Sequence, residues 1–344
     1  MSKAYSRRSF LGTAAAGIGA GAMSLGVAKG ASPTPSQARE RLPREVWIGS
    51  VSLEGMRAQN AADMVEKTLR VMDSLVPYQP DIICLPEVFA YTHLAEGCVI
   101  REVAEQVPGP VVSPFLAFAK AHNCYLICPT YSRQGDSIYI AAVLIDRQGK
   151  VAGEYHKIHP TDTEMEAGVR PGPLQAPVFD TDFGRIGIQI CFDIKWEAAW
   201  QALEQAGAEI VFWPSAYAGG QEVGSRAWRH HFHMVSSTLK GASKIWDVSG
   251  EIIAQTGMWQ PNWVCAPVNL EKAFLHLWPA VQKFPAIREA YGRKIRITTF
   301  DEEEWAIIES HDPEVKVADV LAAYQLPDHR QLIEATEAMQ VSKR

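Results

Sequence analysis

The chain has 344 residues, 47% hydrophobic and 21% charged, which excludes a disordered or fibrous protein and leaves room for a sizeable core. Thirty-three Lys and Arg against 39 Asp and Glu give a formal charge of −6, so a general affinity for nucleic acid or an anionic membrane is not expected. Six cysteines are too few for a disulfide scaffold.

Residues 1–30 read as an export leader. Ser6-Arg7-Arg8-Ser9-Phe10-Leu11 opens an uncharged Ala/Gly-rich run to Ala28, and small residues follow around Lys29-Gly30-Ala31. These are the basic start, apolar centre and cleavage region of a signal peptide. The paired arginines before Phe10-Leu11 look like a twin-arginine signal, recognised by the machinery that exports folded proteins. A membrane anchor is the competing reading, since the run could just span a bilayer. Its Gly and Ala make it weakly apolar, however, and no aromatic belt flanks it. Cleavage removes Lys3, Arg7, Arg8 and Lys29 with no acid, taking the formal charge from −6 to −10. The expected product is periplasmic or secreted, with no stable membrane anchor. Residues 31–44, which include Pro33, Pro35 and Pro43, read as a disordered lead-in.

From Glu45 short apolar runs alternate with helical spacing. Strands are expected at Val46–Val51, Asp81–Pro86, Cys124–Pro129, Ser137–Ile145, Arg185–Cys191 and Glu209–Trp213. Helices are expected at Ala58–Val76, Pro114–His122, Trp196–Gly207 and Arg226–His233. Ser243–Val248 and Ile252–Gln255 around Ser249-Gly250-Glu251 suggest a hairpin. This alternation favours an α/β layered fold. No internal repeat is visible. Residues 271–344 look less regular, and Asp301-Glu302-Glu303-Glu304 reads as a solvated surface turn.

Three strand ends carry reactive side chains, the place where α/β folds collect their active groups. Glu87 follows a buried strand and a proline among apolar neighbours; desolvation there raises a carboxyl pKa toward the range of a general base. Taken alone, it reads more readily as a strand-end carboxylate satisfied by backbone amides. Lys157 lies in Glu154-Tyr155-His156-Lys157-Ile158-His159-Pro160, after a strand and a Gly turn. Cys191 closes an apolar strand just before a helix, where backbone amides lower a thiol pKa and can bind an oxyanion. Of the other cysteines, Cys84, Cys124 and Cys128 lie in apolar strands, where core packing is the ordinary role. Cys98 and Cys265 have no neighbouring base in sequence.

Leu85-Pro86-Glu87, His156-Lys157-Ile158-His159 and Cys191-Phe192-Asp193, in this order, resemble the motifs of the nitrilase superfamily, the carbon–nitrogen hydrolases. Gly207–Ser215 and Val248-Ser249-Gly250-Glu251-Ile252-Ile253 add to the resemblance, which covers residues 45–270 and leaves 271–344 as a C-terminal extension, packed on the domain or at an oligomer interface. It implies a four-layer α-β-β-α sandwich and a cysteine mechanism with no metal and no cofactor. By position, Cys191 would be the nucleophile and Glu87 its base, with Lys157 and the Phe192 backbone amide meeting the oxyanion. A second glutamate commonly precedes a Pro-Gly turn in the family; Glu164 matches best and Glu166 competes. Cys191-Phe192-Asp193 looks more like the amidase and carbamoyl-hydrolase branches than the Trp-Glu of true nitrilases, so a small amide substrate is favoured and a nitrile is the alternative. Lys195 stands where carbamoylases often keep an arginine. Trp213 and Tyr217, with Trp196 and Trp228, could line an apolar pocket or belong to the core. A homodimer or larger homo-oligomer is the family's expectation.

The competing reading is an exported metal- or ligand-binding protein using His230-His231-Phe232-His233 with His156 and His159. Adjacent histidines cannot share a helical face, and no Cys or carboxylate shows ligand spacing with them. No Gly-x-Ser-x-Gly, phosphate loop or dinucleotide glycine pattern is present.

Overall fold

The computed structural model describes Leu42, residues 44–259 and residues 261–344; the leader and nearly all of the lead-in lie outside these. The chain first lays down β1 (Glu45–Val51), β2 (Ile82–Cys84), β3 (Tyr125–Gln134), β4 (Ser137–Ile145) and β5 (Val151–His156). A second set follows, β6 (Val178–Asp180), β7 (Arg185–Ile188), β8 (Ile210–Ser215), β9 (His233–Thr238), β10 (Lys244–Trp246) and β11 (Ile252–Gln255). Strand β12 (Trp263–Asn269) then returns to the first sheet. The two six-stranded sheets run β12-β1-β2-β3-β4-β5 and β11-β10-β9-β8-β7-β6. In each, three parallel strands form the centre, β1-β2-β3 and β7-β8-β9, with antiparallel strands at the margins. Covered on both faces, such centres read as continuous apolar runs, as in the wholly buried Ile82-Ile83-Cys84.

Helices α1 (Ala61–Asp73), α2 (Ile100–Val103) and α3 (Ser113–His122) accompany the first sheet; α4 (Asp162–Glu166) lies between the sheets in sequence. Helices α5 (Glu197–Gln205) and α6 (Gln221–His230) accompany the second sheet. Helix α1 starts where Asn60 caps it, its side chain accepting from Asp63 N–H at 3.1 Å, an arrangement that satisfies one of the free amides of the first turn. Its Met64, Val65, Thr68 and Met72 form the buried face, and each fully buried methionine contributes about 1.5–3 kcal/mol by leaving water. The sheets are also joined by hydroxyls: Ser50 Oγ donates to Ser236 O at 2.6 Å and Ser237 Oγ to Cys84 O at 2.9 Å. The α/β sandwich expected from the motifs is therefore present, two sheets flanked by helices.

Two sequence expectations need correction. The helix placed over Arg226–His233 is α6, Gln221–His230, and His233 opens β9. Its stop is set by His231, held at φ +56° with its N–H on Ala227 O, a left-handed conformation no helix continues through. The irregular reading of residues 271–344 also fails. Strands β13 (Lys272–His276), β14 (Ile295–Phe300) and β15 (Trp305–Ser310) form an antiparallel sheet in the order β13-β15-β14. With α7 (Leu277–Ala280), α8 (Phe284–Tyr291), α9 (Val317–Tyr324) and α10 (His329–Lys343) it has its own apolar cluster around Leu275, Phe284, Ile287, Ile308 and Val320. This unit joins the main sheets through Val248, Phe274 and Ile307, and Lys272 Nζ reaches Asp247 Oδ1 at 2.7 Å. Asp301–Glu304 form the exposed turn between β14 and β15. Among the described residues, no helix is long and apolar enough to cross a membrane.

Candidate active site

Glu87, Lys157 and Cys191 leave the sheets at three separate points and meet between them. Glu87 follows β2 through Leu85, whose N–H is held by Ile127 O at 3.0 Å, and Val88 turns the chain at φ +39°. Lys157 directly follows β5; its N–H bonds Ile140 O, and its carbonyl accepts from Gly172 N–H at 2.8 Å. Gly172 is required there, because a Cβ would collide with the His156 carbonyl. Cys191 does not extend β7 as expected. The strand stops at Ile188, and Cys191, at φ +46°, opens a single 3-10 turn over Cys191–Lys195. For a residue with a side chain this backbone region is sparsely populated and is held only by its surroundings. Here Trp213 Nε1 donates to Cys191 O at 2.9 Å.

The ammonium of Lys157, 0% exposed, lies 2.8 Å from Glu87 Oε1 and 2.8 Å from both oxygens of Glu164. Glu87 is 2% exposed and Cys191 7%. Burial pushes the Glu87 carboxyl up; the Lys157 charge opposes this and Glu164 reinforces it, leaving Glu87 above its ordinary range. For Lys157, burial favours loss of the proton, but Glu87, Cys191 and Glu164 outweigh it and hold the ammonium above its usual value. Burial first, then the Glu87 charge, pushes the Cys191 thiol up to about 12, against the pull of Lys157 and of hydrogen bonds from Ala216 N–H and Ser215. At neutral pH the resting sulfur is therefore a thiol whose proton needs a base, and Glu87 is its hydrogen-bond partner.

Of the two glutamates that competed, Glu164 meets Lys157 and Glu166 is exposed. Glu164 is fixed by a capping box, its N–H on Thr161 Oγ1 and its Oε2 accepting from Thr161 N–H. Thr161-x-x-Glu164 was legible as that motif. Phe192 is the second residue of the 3-10 turn, whose first backbone bond is Asp193 N–H to Ile190 O; an amide ahead of that bond is left for another acceptor.

The aromatic residues separate. Trp213 is wholly enclosed and supports the Cys191 turn rather than offering a face to a ligand. Tyr217 is half-buried beside it, rings 5.3 Å apart, and burial with the nearby Cys191 charge pushes its phenol up to about 12. Trp228 leaves the site and packs on Phe274 and Phe300 of the C-terminal sheet. Trp196 stacks on His159 at 3.9 Å, and Lys195 pairs with Glu222. The histidines of the runner-up reading have other partners: His156 Glu154, His159 Asp193, and His230 Glu204, while His233 is buried against Trp246 and Asn269 carbonyls. Among the described residues no group of three His, Cys, Asp or Glu is placed to hold a metal. Sequence reading missed Ser215 and Ala216 as neighbours of the sulfur; the signals were Ser215's place at the end of β8 and of the Gly207–Ser215 segment.

The carbon-nitrogen hydrolase family matches residues 48–273. The chain belongs to that family. It is 30% identical over 207 residues to a beta-ureidopropionase of Arabidopsis thaliana, covering 55% of this chain and 50% of the relative. A deaminated glutathione amidase of Dictyostelium discoideum is 26% identical over 203 residues, covering 54% of this chain and 67% of the relative. The chain thus spans half to two thirds of these relatives' length. The crystal structure of an amidase from Nesterenkonia sp. superposes with a TM-score of 0.59 at 19% identity, over 65% of this chain and 90% of that one. At that identity the likeness concerns the fold.

Proposed function

We propose that the protein is a thiol amidohydrolase that cleaves the C–N bond of a small amide or carbamoyl amide through a thioester on Cys191. The observation that carries this reading is the buried cluster in which the thiol faces Glu87 while Lys157, held by Glu87 and Glu164, supplies a cation. Glu87 takes the thiol proton as sulfur attacks the carbonyl carbon, giving a tetrahedral oxyanion. Lys157 Nζ and the Phe192 N–H meet that charge, the Lys157 ammonium needing no reorganisation because two carboxylates already orient it. Collapse breaks the C–N bond, Glu87 returns the proton, and ammonia or an amine leaves. Water, deprotonated by Glu87, then adds to the thioester; the second collapse frees the acid and restores the thiol. Glu164 keeps Lys157 charged and aimed, and Tyr217 flanks the substrate.

Cys191-Phe192-Asp193 and the amidase and ureidopropionase names among the relatives support an amide over a nitrile. A twin-arginine leader would place the enzyme in the periplasm or outside the cell, where a thiol without disulfides suits export in the folded state, and a homodimer or larger assembly completes the proposal. The test is ammonia release from aliphatic amides, carbamoyl amino acids and nitriles. Cys191→Ala is expected to release none while its circular dichroism matches wild type; full activity in that variant overturns the mechanism, and wild-type turnover of nitriles alone overturns the substrate class.

A further inference from the structure

We propose that Asp193 is the positioning residue that holds Lys157 and Cys191 in register; the inference rests on the thioester reading above. Asp193 is fully buried, two residues after Cys191. Its Oδ2 accepts from Tyr155 O–H at 2.7 Å and from Ile190 N–H at 3.0 Å. Its Oδ1 accepts from His159 N–H at 2.7 Å and faces His159 Nδ1 at 3.0 Å. A carboxylate only accepts, so Nδ1 carries the imidazole proton. Tyr155 and His159 stand two residues before and two after Lys157, and Ile190 directly precedes Cys191. One carboxylate therefore ties both flanks of the lysine to the turn that presents the thiol, across 34 to 38 residues of chain.

Each partner is itself fixed. Burial and the neighbouring Asp193 charge push the Tyr155 phenol far up, so it stays a donor. The His159 ring lies flat on Trp196, and Trp196 meets Phe192 edge-on at 5.1 Å. No hydrogen bond joins Asp193 to the sulfur or the ammonium; it acts through its side-chain ties to Tyr155 and His159 and its backbone ties to His159 and Ile190. Asparagine cannot replace it. Whichever way the amide turns, its NH2 opposes a backbone N–H, that of Ile190 or that of His159, so one of the two ties is lost.

The experiment uses full-length Asp193→Asn with the amide that wild type turns over best, and iodoacetamide as a probe of Cys191. The expected result is a kcat lowered about 10- to 100-fold with KM within about threefold, the size seen when supporting partners are removed. Cys191 alkylation at pH 8 is expected to slow at least fivefold, because the thiolate loses its aligned cation. A lowered melting temperature with wild-type kcat, KM and alkylation rate would show a purely structural residue and overturn the inference. If Asp193→Asn does not fold, Tyr155→Phe combined with His159→Ala, which cuts both side-chain ties but keeps the carboxylate, must reproduce the kcat loss; wild-type kcat there overturns it. Activity surviving in Cys191→Ala sinks the thioester reading, whereas an inactive Cys191→Ala beside an unimpaired Asp193→Asn sinks only the role of Asp193.

Discussion

Replacing Lys157 by methionine removes the only cation at the centre of the described cluster while keeping an unbranched side chain one atom shorter. The carboxylates of Glu87 and Glu164, each 2.8 Å from Nζ, then face one another without it. Glu87 is buried and its carboxyl is already pushed up by burial and by Glu164, so it escapes by taking a proton. The cost of keeping it protonated bounds the destabilisation. From an ordinary glutamate pKa of about 4.3, that is about 3.7 kcal/mol at pH 7 and about 1 kcal/mol at pH 5. The sign follows from linkage: in the variant the folded pKa lies above the unfolded one, so the penalty grows as pH rises and vanishes below about pH 4.3. The upper figure agrees with the 3–5 kcal/mol typical of a buried pair that loses one partner. Urea unfolding of wild type and Lys157→Met at pH 7 and pH 5, with ammonia release measured alongside, checks both numbers. A penalty below about 1 kcal/mol at pH 7, or one equal at both pH values, refutes the argument that Lys157 neutralises the buried Glu87 carboxylate together with Glu164.

Glu164→Gln is expected to lower kcat/KM about 100-fold by loosening Lys157, whereas Glu166→Gln stays within about twofold; equal losses in the two would remove the distinction the geometry draws between them. The folded state also resists protonation of two histidines, since burial lowers His231 to about 3 and His233 to about 4. As pH falls below about 6.5 the unfolded chain binds protons that the folded one refuses, and each histidine costs up to about 1.4 kcal/mol per pH unit, His233 until about pH 4. Thermal melts from pH 7 to pH 4 should show a shallower decline in His233→Asn than in wild type, and parallel curves would contradict the assignment.

Strand positions were legible because a sheet covered on both faces needs short continuous apolar runs, and Ile82–Cys84 or Ile210–Trp213 can hardly be anything else. The C-terminal sheet was not, because β13 and β14 break their apolar positions with charged and polar ones and form no continuous apolar run, as in Lys272-Ala273-Phe274-Leu275-His276. Helix α6 was displaced in the reading because its polar first turn hides the start, while its end depends on a left-handed histidine that no periodicity reveals. At the site, their places at strand ends made Glu87, Lys157 and Cys191 candidates, and only the resemblance of their ordered motifs to the carbon–nitrogen hydrolases singled them out. By itself the sequence pointed, through the resemblance its motifs carry, to the family, the sandwich and those three side chains, since the motifs are runs of a few adjacent residues. Only the tertiary structure decided which glutamate meets Lys157, that Trp213 braces the Cys191 turn, and that Asp193 joins the two flanks of the lysine to the thiol. Those depend on hydrogen bonds closed across 7 to 38 residues, and such closures exist only once both sheets have packed.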